Sequence, residues 1–177
     1  MNRRKSLCAV LLAASILAIT GASCKKSEPG RYVSREKGFS IIVPAEWDIE
    51  EKKMNTDMIA VSPGESAEDT FRENFNVLVE TLPKEMTLDE YYMKGMPLFK
   101  EFAREFIQHA GGFEEIDGEK FRYDIVSHKM GPLRIKVLQY LYVKAKKGYL
   151  ITFSAADEKF GNYEPMFKEV AKGFRFE

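Results

Sequence analysis

Three alternating runs in succession, Glu119–Met130, Leu133–Lys146 and Tyr149–Ala156, constrain this chain more than any other feature. The turn signals Gly131-Pro132 and Lys147-Gly148 separate them, so they read as consecutive antiparallel strands. In the middle run the odd positions from Leu133 to Ala145 are apolar except for Gln139. Strict alternation sets one face against a core, because successive strand residues point to opposite sides. The even positions are apolar only at the centre, at Leu138, Tyr140 and Tyr142. The second face is therefore covered there too. The middle run is expected to lie centrally in a sheet with cover on both faces.

The N-terminus carries a different signal. Met1–Lys5 is basic, Leu7–Thr20 is an apolar run of 14 residues, and Gly21, Ala22 and Ser23 are small. An apolar run of that length is too short to span a bilayer as a helix, and the layout is that of a secretory leader. Gly21-Ala22-Ser23-Cys24 resembles a bacterial lipobox, with Gly21 in place of the usual Leu. Cleavage between Ser23 and Cys24 would leave the Cys24 sulfur to carry lipid. The competing reading is an ordinary secreted protein cut after Ala22 or Ser23, with Cys24 a loose thiol. Cysteine usage favours lipidation. The chain has two cysteines, and Cys8 leaves with the leader, so Cys24 has no partner for an intramolecular disulfide. Arg3-Arg4 followed by Lys5-Ser6-Leu7 fits a twin-arginine signal poorly. Residues 24–30 read as a polar tether. Lys25, by the sorting rule of enteric lipoproteins, favours the outer membrane over the outer face of the inner membrane. The folded part would then face the periplasm or the exterior.

Residues 31–177 are long enough for one domain with a full core. The whole chain balances 27 basic against 27 acidic residues; without Arg3, Arg4 and Lys5 of the leader, which holds no acid, the formal net charge is −3. Such a chain has no electrostatic pull toward nucleic acid or anionic lipid.

Along the domain, Arg31–Arg35 and Phe39–Val43 read as short strands, and Pro44 stops the second. Trp47, the one tryptophan, is expected to plug the following loop onto the sheet rather than stack on a ligand. Asp48–Asp57 reads as an edge strand or loop, Met58–Ser62 and Glu73–Leu82 as strands. Thr87-Leu88-Asp89-Glu90 is a capping box. The helix behind it shows an apolar stripe from Leu88 to Phe106 at spacings of three and four. Pro97, following Gly95, predicts a kink or two short helices, and His109-Ala110-Gly111-Gly112 a helix end. The stripe is read as core rather than as a cofactor or partner groove. Phe113–Ile116 is expected to open a hairpin with Asp117-Gly118 as a type I′ turn. A last helix should start near Tyr163, with Pro165 in its first turn and Gly173 as its stop. Phe174 and Phe176 would form a tail tucked on the sheet.

The order of these pieces resembles the PsbP-like family, together with the DcrB-type bacterial lipoproteins and the Ran-binding Mog proteins of the same fold. Gly38-Phe39-Ser40-Ile41-Ile42-Val43-Pro44 with Trp47, the strand to Leu82, Thr87-Leu88-Asp89-Glu90-Tyr91, and Ile116-Asp117-Gly118-Glu119 carry it. Gln139-Tyr140, the run from Gly148 to Ser154, and Phe167-Lys168-Glu169-Val170 with Gly173-Phe174 complete it. The resemblance implies an α+β fold: an α/β/α sandwich with a central, mostly antiparallel twisted sheet and helices on both faces. It implies a binding or assembly role rather than catalysis, and transfers no partner-binding residue.

Neither His109 nor His128 sits in H-E-x-x-H or beside a carboxylate at ligand spacing, and His128 is expected on the surface. The acids Glu114, Glu115, Asp117 and Glu119 lack calcium-loop spacing and read as a solvated hairpin end. Lys144, Lys146 and Lys147 read as a solvated strand tip. There is no nucleophile elbow, P-loop or dinucleotide fingerprint. The sequence thus predicts no catalytic, metal or cofactor residue. The expectation is a membrane-anchored lipoprotein, held through Cys24, whose domain binds a partner protein in envelope assembly or maintenance. The alternative is a small-ligand or metal-ion carrier.

Overall fold

The computed structural model describes residues 30–66 and 69–177. The expected leader, Cys24 and the tether apart from Gly30 lie outside them. The elements run β1 (Arg31–Ser34), β2 (Phe39–Ile42), β3 (Asp48–Glu51), β4 (Met58–Val61), β5 (Asn74–Thr81), α1 (Leu88–Phe102) and β6 (Arg104–Ile116). They continue with β7 (Glu119–Met130), β8 (Leu133–Lys144), β9 (Lys147–Ala156), α2 (Phe160–Lys172) and β10 (Arg175–Phe176). The main sheet is antiparallel, in the order β3-β4-β5-β9-β8-β7-β6. A second sheet orders β1-β2-β10, so the C-terminal tail pairs with β2, while Phe174 and Phe176 lie on Phe121 and Tyr149 of the main sheet as expected. β9, not β8, is the middle strand of the seven.

Alternation in β8 sorts its side chains as expected. Leu138 and Tyr140 belong to a large aromatic cluster with Phe75, Phe153 and the α2 residues Phe167 and Val170. Leu141 packs with Tyr91 of α1, and Ile135 and Val137 with Phe99 of α1. Even and odd positions of a strand point to opposite sides, so the two clusterings occupy opposite sides of β8. Trp47 sits over Phe75 and against Phe167, with ring centroids 5.9 and 6.5 Å away, the plug the sequence predicts.

The turn and the cap form as read. Asp117 and Gly118 both take positive φ, 55° and 73°, as a type I′ turn requires. Thr87 Oγ1 accepts from the Glu90 amide at 3.1 Å, and Glu90 accepts from the Thr87 amide at 2.7 Å.

Four expectations need correction. First, α1 runs through Pro97 as one helix and stops at Phe102, and residues from Arg104 form a strand. Ala103 turns extended at the helix end, and the chain doubles back so that Phe106 meets Phe99 edge-on at 5.7 Å. That reversal mimics helical spacing. β6 also carries register shifts between Arg104 and Ile107 and between Gln108 and Ala110, which hide its period of two. Second, the β8–β9 turn is Ala145-Lys146, with φ of 48° and 60°. Gly148 lies inside β9, where a Cβ would stand 2.6 Å from the Tyr91 ring; its smallness lets α1 approach the sheet. Third, α2 begins at Phe160, which puts Pro165 in its interior. Gly173 does end α2 as its C-cap, as expected, though with φ −77° rather than left-handed; a Cβ there would meet Ile42 at 2.5 Å. Fourth, His128 is half-buried, its ring edge-on to Phe99 at 5.6 Å.

Candidate functional site

The strand registers build a polar row across the α1 side of the main sheet. Asn76 of β5 opposes Thr152 of β9, Thr152 opposes Gln139 of β8, and Gln139 opposes Asp124 of β7. Directly opposed residues share a face, and neighbouring strands lie about 4.8 Å apart. The row therefore sets four hydrogen-bonding side chains in line. Gly111 of β6 opposes Asp124, and a Cβ at Gly111 would come within 2.7 Å of the Asp124 carboxylate. Glycine there makes room for the carboxylate.

Asp124 is fully buried. Its Oδ1 accepts from Gln108 Nε2 at 2.7 Å and from the Tyr92 hydroxyl at 3.5 Å. Its Oδ2 lies 3.5 Å from Arg122 Nε, yet neither of these two atoms makes a hydrogen bond. The Arg122 guanidinium sits 3.5 Å over the Tyr92 ring, a cation–π contact. Burial pushes the Asp124 carboxyl above the usual carboxylate range, and Arg122, Gln108 and Tyr92 partly offset it.

Next to this row, between α1 and the sheet, is a cavity of about 240 Å³. Its walls include Tyr91, Tyr92, Met96 and Phe99 from α1 and Gln139 and Leu141 from β8. At its rim the Tyr91 hydroxyl donates to Glu80 at 2.6 Å; burial first and Glu80 second raise the Tyr91 pKa. Gln139 Nε2 donates to Thr152 Oγ1 at 3.3 Å. A wider depression of about 420 Å³, at Pro132–Arg134 and Ala156–Glu158, is more open, and its Arg134 side chain is turned to Glu105.

The residues singled out from sequence fall elsewhere. Ser23 and Cys24 lie outside the described residues. His109 is exposed, with Nε2 2.8 Å from Ser127 Oγ. Of the hairpin acids, Glu114 accepts from the Tyr140 hydroxyl at 2.6 Å and Asp117 from the Phe176 amide at 3.0 Å. Lys144 pairs with Glu119 at 2.9 Å, and Lys147 donates to the Lys37 carbonyl at 3.1 Å, so the basic strand tip is partly tied down. Glu73 is a second buried carboxylate, beside the Tyr163 hydroxyl. Among the described residues no group of three or more His, Cys, Asp or Glu is placed to hold a metal ion. Nor is any helix among them long and apolar enough to cross a membrane. The polar row was not assembled from sequence, although Gln139 was visible as the one interruption of an apolar face.

No family model and no curated protein sequence matches the chain. Solved structures do. The cyanobacterial PsbP (CyanoP) of Synechocystis superposes with a TM-score of 0.64 at 17% identity, over 89% of this chain and 99% of that one. A Pseudomonas aeruginosa protein of unknown function, described as a putative regulator, gives 0.58 at 12% identity over 80% and 92%. LpqN, involved in cell envelope biogenesis of Mycobacterium tuberculosis, gives 0.60 at 10% over 84% and 86%. The chain has the PsbP-like fold: mixed α+β, with a large antiparallel sheet and two helices.

Proposed function

We propose that this chain is a lipid-anchored, non-catalytic protein of the cell envelope that binds a partner protein through the α1–β6 side of its domain. The observation that carries the partner surface is where exposed apolar side chains gather. Nine large ones are exposed among the described residues, and Met93, Leu98, Phe102 and Phe113 fall in α1 and on the α1 face of β6. Phe102 is 80% exposed at the end of α1. A concentration of this kind marks a contact surface more often than scattered apolar residues do. The envelope setting draws on the leader, on Cys24, and on LpqN, whose role is in cell envelope biogenesis. From Cys24 to Gly30 the chain spans at most about 22 Å, so lipidation would hold the domain close to the bilayer.

Two experiments test this reading. Replacing Cys24 with Ala should leave the protein in the soluble fraction or with its leader uncut; normal processing with retention in the membrane would contradict the anchor. A photo-cross-linking residue at Phe102 should give a discrete protein adduct in native membranes. The same residue at Met54, 83% exposed on the far side of the chain's strand order, should not. Equal labelling from both positions would sink the α1–β6 surface. The second reading, a small-ligand carrier, has the cavity beneath α1 in its favour.

A further inference from the structure

We infer that the polar row and the cavity beside it form a binding site for a neutral saccharide. This deepens the small-ligand reading and depends on neither the anchor nor the partner surface. Asn76, Thr152 and Gln139 carry amides and a hydroxyl, groups that donate and accept at once. A sugar hydroxyl does the same, so a line of such groups at strand spacing matches a polyhydroxylated ligand better than an apolar one. Among the described residues no group hydrogen-bonds the Asn76 side chain, and Gln139 spends one amide donor on Thr152 while its carbonyl oxygen has no partner there. The aromatic walls from α1 complement the C–H faces of a sugar ring.

Charge narrows the class further. Asp124 is the one carboxylate in the row, and Arg122 stands 3.5 Å from it as its counter-charge. A ligand bringing a charge would leave that charge uncompensated in a buried setting, which is costly; a neutral ligand does not. Glu80 stands at the solvent side, already accepting from Tyr91, where it can accept from a hydroxyl as well. The cavity, about 240 Å³, suits one sugar ring, and the row extends it outward through the half-buried Thr152 and Asn76. The terminal sugar of a lipid headgroup and a free saccharide present the same chemistry.

The test is a titration of the full chain, labelled with ¹⁵N, with glucose, galactose, mannose, N-acetylglucosamine and maltose. Glucosamine and glucuronate serve as charged counterparts. At least one neutral sugar should shift the side-chain amide resonances of Gln139 and Asn76. Gln139→Leu, and separately the rim variant Asn76→Ala, should each weaken that binding about tenfold, the effect of one lost hydrogen bond at the upper end of its range. Stronger binding of hexyl glucoside than of glucose would assign a lipid-borne headgroup, equal binding a free saccharide; both support the site. The proposal is overturned by silence across the neutral panel, by shifts that persist in both variants, or by tighter binding of glucosamine or glucuronate.

Discussion

Two rows of side chains, one residue apart on the same four strands, show how differently the two sides of this sheet are used. On the α2 side, Phe75, Phe153, Leu138 and Ile125 oppose one another across β5, β9, β8 and β7. On the α1 side the adjacent row is Asn76, Thr152, Gln139 and Asp124. The first row belongs to one continuous cluster that also holds Phe39, Phe121, Phe160, Phe167 and Phe174, all essentially without solvent contact. The second divides two small clusters, one around Leu141 and one around Val137. The helices match their floors. α2 buries Phe160, Phe167, Val170 and Ala171, whereas α1 buries Tyr91 and Met96 alone. Apolar burial stabilises in proportion to area, so the α2 side holds the fold together. The α1 side is left free to keep a cavity and polar groups that a stability-driven core would not retain.

The largest consequence is an asymmetry in core truncation. Phe153→Ala, which removes a ring touching Phe75, Tyr140 and Phe167, should cost about 3–5 kcal/mol. Leu141→Ala, beside the existing cavity, should fall near 2 kcal/mol, at the bottom of the range for leucine. Urea denaturation of both variants checks this; equal losses would erase the distinction between the sides. Next is Gly148→Ala. Its new methyl would overlap the Tyr91 ring, pushing α1 outward at a cost of about 1–3 kcal/mol. A shift of Tyr91 away from Glu80, seen by NMR, should accompany the loss. Thr87→Ala removes the cap of α1 and should cost about 1 kcal/mol, again by urea denaturation.

The smallest effect is a pH dependence. Asp124 has a raised carboxyl pKa in the folded state, caused chiefly by burial, so the folded state holds its proton more tightly than the unfolded one. Its contribution to stability is therefore fully present below the unfolded value, about 4, and is lost as pH rises through the folded value. Asp124→Asn should flatten that decline in the urea midpoint. An unchanged slope would mean that Arg122 compensates the buried carboxylate completely.

Much of the fold was legible where local chemistry and period agreed. β7 was read to its end residues because it alternates from Lys120 to Ile125 and turn signals at Asp117-Gly118 and Gly131-Pro132 bound it, and the Asp117-Gly118 turn and the Thr87–Glu90 box each combine residues with one strong local solution. The rest was hidden by tertiary effects. Phe106 keeps helical spacing with Phe99 and Phe102 but reaches Phe99 by a chain reversal. Gly111, Gly112 and Gly148 looked like stops and turns. Each is small because a particular side chain, Asp124, Tyr123 or Tyr91, occupies the space of its missing Cβ. The polar row draws one residue from each of four strands, so no window of sequence contains it. Gln139 was its one local trace.

Native-state amide hydrogen exchange compares the two sides most directly. With a cavity beneath it and Gly95 and Pro97 along it, α1 should open at a lower free energy than α2, because local opening follows buried apolar contact. The account predicts that amides of Leu88–Phe102 exchange faster than those in the Phe167–Lys172 part of α2, by at least a factor of about ten. Equal protection of the two helices, or stronger protection of α1, would contradict it.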